Sequence, residues 1–238
     1  MVTYTGKFYR NISRGSSDSA QEIVPIIIDL INPMSVLDVG CGVGTWLAEF
    51  RKMGIEDIVG VDGGYIDQAL LQIPQEAFTT ADLKKALDLK RKFDLVVSLE
   101  VAEHIPASCV ETFIDSLVLH GPVVVFSAAI PYQGGTHHVN EQWQDYWSDL
   151  FLKRGYVVID AIRKNIWNNE IVEVWYKQNI LVYAKECNVN SNTKLYNARL
   201  STTIEQISLV HPDIYLYNNK PSVRNVITMI LNLIKQIF

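Results

Sequence analysis

Val36-Leu37-Asp38-Val39-Gly40-Cys41-Gly42-Val43-Gly44-Thr45-Trp46 runs from an apolar strand pattern, through three alternate glycines, into an amphipathic stretch that continues to Lys52. Glycines at such a strand-to-helix turn let the backbone approach a ligand that side chains would exclude. The spacing is tighter than the Gly-x-Gly-x-x-Gly turn that binds dinucleotides, and Asp38 stands two positions before the first glycine. A carboxylate there repels a pyrophosphate and suits a cationic ligand. The segment therefore predicts a nucleotide-like site in an α/β fold and disfavours an NAD-dependent oxidoreductase.

Three further segments follow in order. Ile58-Val59-Gly60-Val61-Asp62 ends a second strand on an acid 24 residues after Asp38, where a doubly wound sheet offers a carboxylate to ribose hydroxyls. Thr80-Ala81-Asp82-Leu83 supplies an acid 20 residues later, placed to accept from an adenine amino group. Phe93 to Glu100 is an apolar strand ending in a polar turn. Each acid alone reads as a helix cap or a loop residue; the ordered set is far more specific. Short apolar runs at 35–39, 57–61, 93–99 and 122–127 alternate with amphipathic stretches at 46–52, 68–71 and 109–120, the pattern of a parallel sheet wrapped by helices.

Upstream, residues 1–19 read as a polar, irregular arm or lid, with Ser17, Asp18 or Ser19 capping a helix over 20–32. Ile23, Ile26, Ile27, Leu30 and Ile31 share one face of that helix, and Pro25 is tolerable only in its first turns. Downstream, 141–154 predicts a helix, 156–162 a strand and 173–185 a long extended run. The last two suggest an antiparallel hairpin on a sheet edge, with Asn168-Asn169 in a longer loop as the alternative. The main domain then spans 20–186. An extension over 187–238 closes with an amphipathic helix carrying Val223, Val226, Ile227, Ile230, Leu231, Ile234 and Ile237 on one face.

Over about residues 20–185 these segments resemble the class I S-adenosylmethionine-dependent methyltransferases. The resemblance implies a Rossmann-like, seven-stranded, mostly parallel sheet with an antiparallel last strand and helices on both faces, here with a C-terminal helical tail. It implies S-adenosylmethionine as cofactor, with Asp38 and Gly40 near the methionine amino group and Gly42 and Gly44 in the glycine loop. Asp62 would hold the ribose, Asp82 with Leu83 the adenine, and Leu99 with Glu100 the methionine side. Gly63-Gly64 departs from the bulky residue that often packs on adenine, which leaves Tyr65 or Ile66 for that position.

At the acceptor end, Glu100, Glu103 and His104 project to one side of a helical turn. The reading without metal has Glu100 and His104 cap and orient that turn, and the sequence favours it. The other reading notes that plant small-RNA 2′-O-methyltransferases use a similar string, with a histidine after the fifth strand, to bind a divalent ion. Glu100, Glu103, His104 and His138 would be the ligands here. The block from Ala128 to Trp147 follows the fifth strand and contains Gly134-Gly135-Thr136-His137-His138. Adjacent histidines in an extended loop point opposite ways; His138 is the first choice of general base, with His104 second and His137 also a candidate. Trp143, Tyr146 and Trp147 recur at helical spacing, which fits core packing better than a substrate platform.

Available histidines favour O-methylation, because a hydroxyl needs a base more than an amine does. The block resembles methyltransferases of bacterial polysaccharide and natural-product pathways, which implies a saccharide or small-molecule acceptor. The formal net charge of -5 weighs against nucleic acid as a partner. RNA stays a rival if the cleft is locally basic, and a non-catalytic cofactor-binding scaffold is the other alternative. Three cysteines in no paired spacing fit a reducing compartment. With no apolar run of about 18 residues, the expected location is cytoplasmic. The tail helix could add a peripheral contact at the inner membrane face or a homodimer interface.

Overall fold

The computed structural model describes the backbone from Gly6 to Asn218 and side chains from 15 to 216. Helix α1 (Gly6–Ile31) precedes strand β1 (Ser35–Val39); α2 (Thr45–Lys52), β2 (Asp57–Asp62), β3 (Phe78–Thr80) and β4 (Leu95–Leu99) follow. Then come α3 (Val110–His120), β5 (Val123–Ser127), α4 (Gln144–Leu152) and β6 (Tyr156–Ile159). The chain continues through α5 (Arg163–Ile166), α6 (Val174–Asn179), β7 (Leu181–Lys185), α7 (Glu186–Ser191), α8 (Thr193–Leu200) and α9 (Pro212–Asn218). The seven strands form one sheet in the order β3-β2-β1-β4-β5-β7-β6. Strands β1 to β5 pair in parallel, and β7 runs antiparallel to both β5 and β6.

Strand alternation divides the core into two layers. Val36, Val97 and Val125 face α1 and α2 with Ile23, Ile27, Leu47 and Phe50. Leu37, Val96 and Val124 face the other layer, with Phe113, Trp147 and Phe151 from α3 and α4. Phe151 stacks on Tyr183 with ring centroids 4.0 Å apart. Trp147 is fully buried, as its core reading anticipated, whereas Trp143, just before α4, is 41% exposed and departs from that reading. The carboxyl ends of the parallel strands meet at one edge, and the order reverses beside β1, between β2 and β4, where an open α/β sheet leaves a crevice.

Several expectations are corrected. The arm over 1–19 is not irregular where described, since α1 already runs from Gly6. Ser19 lies inside it rather than capping it: its hydroxyl donates to the Gly15 carbonyl at 2.7 Å and accepts the Glu173 N–H at 3.0 Å. Pro25 accordingly sits inside the helix, where its missing N–H leaves the Gln21 carbonyl without its usual donor. The extended run over 173–185 is helical for its first half, because α6 must bury Tyr176, Gln178 and Asn179 before β7 begins.

The strand expected over 156–162 stops at Ile159; it pairs antiparallel with β7 at the sheet edge as expected, but across a long connection that contains Asn168-Asn169, not a short hairpin turn. Helices α5 and α6 fill the connection, and β7 inserts between β5 and β6, leaving β6 at the edge. Nor does the packed unit stop at 186: Val189, Leu195 and Ala198 join the first core layer and Ile207 the second. Asn192 and Lys194 also bond α1 at the Leu30 and Asp29 carbonyls. The amphipathic helix expected over 221–238 lies outside the described residues. Among the described residues no helix is long and apolar enough to cross a membrane, and all three cysteines are free.

Arg163 ties this extension down. Its side chain is buried, pairs with both Asp160 oxygens at 3.0 and 2.7 Å, and donates to the Gln178 and Ile207 carbonyls at 3.2 and 2.9 Å. Arg163→Ala leaves Asp160 and two carbonyls unpaired, which is expected to cost about 3 kcal/mol. Urea unfolding measures this, and a loss below about 1 kcal/mol would contradict the role.

Candidate functional site

The glycine turn is built by steric necessity. Gly40, Gly42 and Gly44 have φ of 88°, 55° and 82°, a region that side chains disfavour. A Cβ on Gly40 would lie 2.3 Å from Val101 Cγ2, and one on Gly44 2.8 Å from Ile73 Cγ1. Around Gly42 nothing lies within 4 Å of that position, so this glycine faces open space. The turn is clamped to the end of β2, where the Gly42 N–H donates to Asp62 Oδ2 at 2.7 Å.

Asp38 is 2% exposed, and its Oδ2 has no hydrogen-bond partner. Burial, reinforced by the nearby Asp62 charge, pushes its carboxyl from 3.8 up to about 8. An unpaired buried acceptor beside a glycine cradle fits a cationic, nucleotide-sized ligand. Asp62 is saturated from within: besides Gly42, its Oδ1 accepts from the Gly63 N–H at 2.6 Å and the Tyr65 hydroxyl at 2.5 Å. The Gly63-Gly64 departure gains a reason, since a Cβ on Gly63 would lie 2.2 Å from Tyr65 Cε1. Glycine lets the tyrosine ring fold back over the turn.

The Ala81 N–H donates to the Asp62 carbonyl at 2.9 Å, which brings 81–83 beside Asp62. Asp82 is exposed, accepts the Lys84 N–H at 3.1 Å as a local turn, and lies 3.8 Å from Lys85 Nζ. Leu83 is half-buried against the second core layer. Leu99 ends β4 in register with Ser127 of β5.

Glu100 follows in a left-handed conformation with φ of 55°. Its oxygens accept from Asn179 Nδ2 at 3.2 Å and Gln133 Nε2 at 3.3 Å. Burial raises this carboxyl, opposed by hydrogen bonds from Ser127, Asn179 and Gln133. Glu103 is 1% exposed with Oε2 unpartnered; burial first, then the Glu100 charge, holds it well above the usual carboxylate range. His138 Nε2 lies 3.9 Å from Glu103 Oε1, and the rings of His104 and His138 are 5.0 Å apart.

The partners of both imidazoles fix their tautomers. His104 Nδ1 lies 3.2 Å from the His137 carbonyl, which can only accept. His138 Nδ1 lies 2.9 Å from Glu141 Oε1, a carboxylate that also accepts from the Gly134 N–H at 3.0 Å and, through Oε2, from the Tyr132 N–H at 2.8 Å. Each imidazole therefore donates through Nδ1, and in its neutral form carries its lone pair on Nε2. His104 is an exposed side chain, and the partial desolvation of its ring lowers it from the usual imidazole value. The His137 side chain is exposed, and its role here is through its carbonyl.

Of the four residues expected as metal ligands, Glu103, His104 and His138 converge, with ligand atoms within 4.8 Å of one another. Glu100 stands outside that trio. Sequence reasoning missed Glu141, although it lies three residues after His138, and missed Gln133, Gln178 and Asn179. Gln178 donates to Gln133 Oε1 at 3.0 Å and so completes the ring of amides around Glu100.

A family model described as a methyltransferase domain matches residues 14–149, more than half of the chain. The chain belongs to that methyltransferase family, and its fold is the one the class I resemblance implies. Among solved structures it is similar to the sugar N-methyltransferase KedS8 from Streptoalloteichus sp., with TM-score 0.59, 15% identity and 75% and 91% of the two chains covered. DesVI from Streptomyces venezuelae aligns with TM-score 0.56 and 16% identity over 75% and 95%. The methyltransferase domain of a bacterial Hen1 aligns with TM-score 0.54 and 18% identity over 71% and 98%. At these identities the likeness concerns the fold. No curated protein matches the chain.

Asp38 makes the ligand-free protein sensitive to pH. A folded carboxyl raised to about 8 keeps a proton that the unfolded chain releases near 3.8. Its contribution to stability is complete below that lower value and declines as pH rises toward the upper one. Relative to wild type, ligand-free Asp38→Asn should gain stability steadily between about pH 5 and 8, read from urea midpoints. A pH-independent difference would contradict the assignment.

Proposed function

We propose that this protein is an S-adenosylmethionine-dependent O-methyltransferase acting on a hydroxyl of a saccharide or related small molecule, with His138 as general base. The observation that carries the reading is the Glu141–His138 pair, 2.9 Å apart, which leaves Nε2 as a proton acceptor on the ligand edge of the sheet. Structural likeness to a sugar methyltransferase supports a sugar-sized acceptor.

The cofactor supplies an electrophilic methyl group on a sulfonium. Asp38, its Oδ2 unpartnered, would hold the cofactor's amino group beside Gly40, and Gly42 and Gly44 would keep side chains out of its path. Asp62 would hold the ribose hydroxyls, with the Tyr65 hydroxyl that now bonds it giving way, and Tyr65, Asp82 and Leu83 would hold the adenine. Leu99 and Glu100 line the methionine side. His138 Nε2 takes the acceptor hydroxyl's proton, and Glu141 holds the ring and stabilises the imidazolium that forms. His104, its Nε2 also available, is the second candidate for that role.

Two measurements test this. Asp38→Asn should weaken S-adenosylmethionine binding about 10- to 100-fold. Wild-type binding at pH 7 should release close to one proton, read by calorimetry in buffers of different ionisation enthalpy, and the variant should release none. Unchanged affinity would remove Asp38 from the cofactor site. Independently, His138→Ala should lower kcat about 10²- to 10⁴-fold with cofactor affinity retained, and Glu141→Gln should lower it less. Turnover of amines but of no hydroxyl compound would overturn the O-methylation reading.

One observation favours a second reading. Both imidazoles donate Nδ1–H to an oxygen, and His138 Nε2 lies 3.9 Å from a buried carboxylate with one oxygen unpartnered, the outer arrangement common to metal-bound histidines. Glu103, His104 and His138 would then hold a divalent ion beside a ribose hydroxyl. Activity lost on chelation and restored by Mn²⁺ or Mg²⁺, with RNA as the better acceptor, would select it. Full activity after chelation would discard it.

A further inference from the structure

Beside the catalytic loop lies a pocket of about 150 Å³ that the sequence does not announce. One wall is Pro131, Tyr132 and Trp143, from the segment between β5 and α4; the other is Val210, Ile214 and Tyr215, on and just before α9. Gln133 lines it as well, and the same side chain bonds Glu100. Resting on the saccharide reading above, we infer that this pocket is the acceptor subsite and takes a single sugar ring through its apolar C–H face.

Size and chemistry carry the inference together. A cavity of about 150 Å³ holds one benzene-sized ring, so a pyranose enters this half-open pocket by one face with its hydroxylated edge outside, and no stacked pair fits. A sugar ring is apolar on its faces and hydroxylated around its edge. Aromatic and aliphatic walls meet the faces, and one amide among them offers a hydrogen bond to the edge.

Both walls are held by the residues that build the site. Glu141 accepts the Tyr132 N–H at 2.8 Å with the carboxylate that orients His138, and so maintains Tyr132 at φ of 67°, a conformation that costs energy for a non-glycine residue. On the opposite wall, the His211 N–H donates to Gln178 Oε1 at 2.8 Å, and His211 Nε2–H donates to the Trp167 carbonyl at 2.9 Å. Gln144 Nε2 donates to the Leu209 carbonyl at 3.1 Å. Gln178 then reaches Gln133 at 3.0 Å. A ring seated between these walls is positioned by the groups that position the base. The extension after residue 186 thereby becomes part of the acceptor site.

Saturation-transfer NMR on the full chain with S-adenosylhomocysteine bound tests this, with methyl α-D-glucopyranoside, methyl α-D-mannopyranoside and methyl α-D-galactopyranoside as probes. At least one should receive saturation at its ring C–H protons. Val210→Trp, which fills the pocket from a residue 41% exposed, should abolish the signal, and Tyr215→Ala, 59% exposed, should weaken binding at least fivefold. Both variants should retain S-adenosylhomocysteine affinity within twofold, which shows that they fold. Absence of pyranoside binding to wild type, or undiminished saturation in Val210→Trp, overturns the inference. Should the enzyme methylate a non-sugar hydroxyl while no pyranoside binds, the subsite falls and O-methylation stands. Pyranoside binding in this pocket alongside methylation of amines alone keeps the subsite and removes O-methylation.

Discussion

Buried carboxylates without a cation beside them are the constraint around which this molecule is organised. Asp38, Glu100 and Glu103 all lie at the carboxyl edge of one sheet, and burial raises each of them. Removing ionised groups from water costs several kcal/mol apiece unless they are paired or protonated. Glu100 is satisfied by amides drawn from two distant segments, whereas Asp38 and Glu103 each retain an oxygen with no partner. An apolar core would not keep such groups. A ligand that brings positive charge gives them a reason to be there.

The surrounding backbone is bent to hold them. Glu100, Tyr132 and His137 all adopt left-handed φ values, and these three residues flank the imidazole pair. Strain of this kind persists only where neighbours over-determine it, and the neighbours are visible: Ser127 fixes the Glu100 N–H at 3.1 Å, Glu141 fixes Tyr132, and the His137 carbonyl takes the His104 N–H. Distortion is concentrated where a substrate would be aligned, while the strands behind it follow regular register.

What the sequence made legible was local. The glycine turn, Asp38 and Asp62 are legible because each follows directly from a strand whose apolar pattern is short and regular. The missed groups are not local: Asn179 reaches Glu100 across 79 positions and Gln178 reaches Gln133 across 45. Periodicity carries no trace of such contacts. Residues 174–179 contain Val, Trp and Tyr, all strand formers, yet they turn helical because burial of Tyr176 and the two amides outweighs propensity. The Gly-Ser-Ser-Asp-Ser run has cap composition, but α1 passes straight through it, held in part by a bond from Ser19 to Glu173, 154 positions away. Beyond 186 the same limit applies, since an Asn-rich stretch hides Val189 and Leu195, which only the tertiary structure buries.

The imidazole pair shows why two chemistries stay compatible with one geometry. Both Nδ1 atoms are committed as donors, so any positive charge arriving at His104 or His138 must arrive at Nε2, which in His138 lies 3.9 Å from Glu103. Glu103 has one oxygen unsatisfied and an unfavourable field from Glu100 and Glu141 around it. A proton taken from an acceptor hydroxyl would relieve that imbalance, and so would a divalent ion, each entering at the same place. Charge therefore defines the centre without naming its carrier. Glu141 breaks the symmetry, because it binds one imidazole and not the other while also fixing the Tyr132 wall. That coupling ties His138, rather than His104, to the position of whatever occupies the neighbouring pocket.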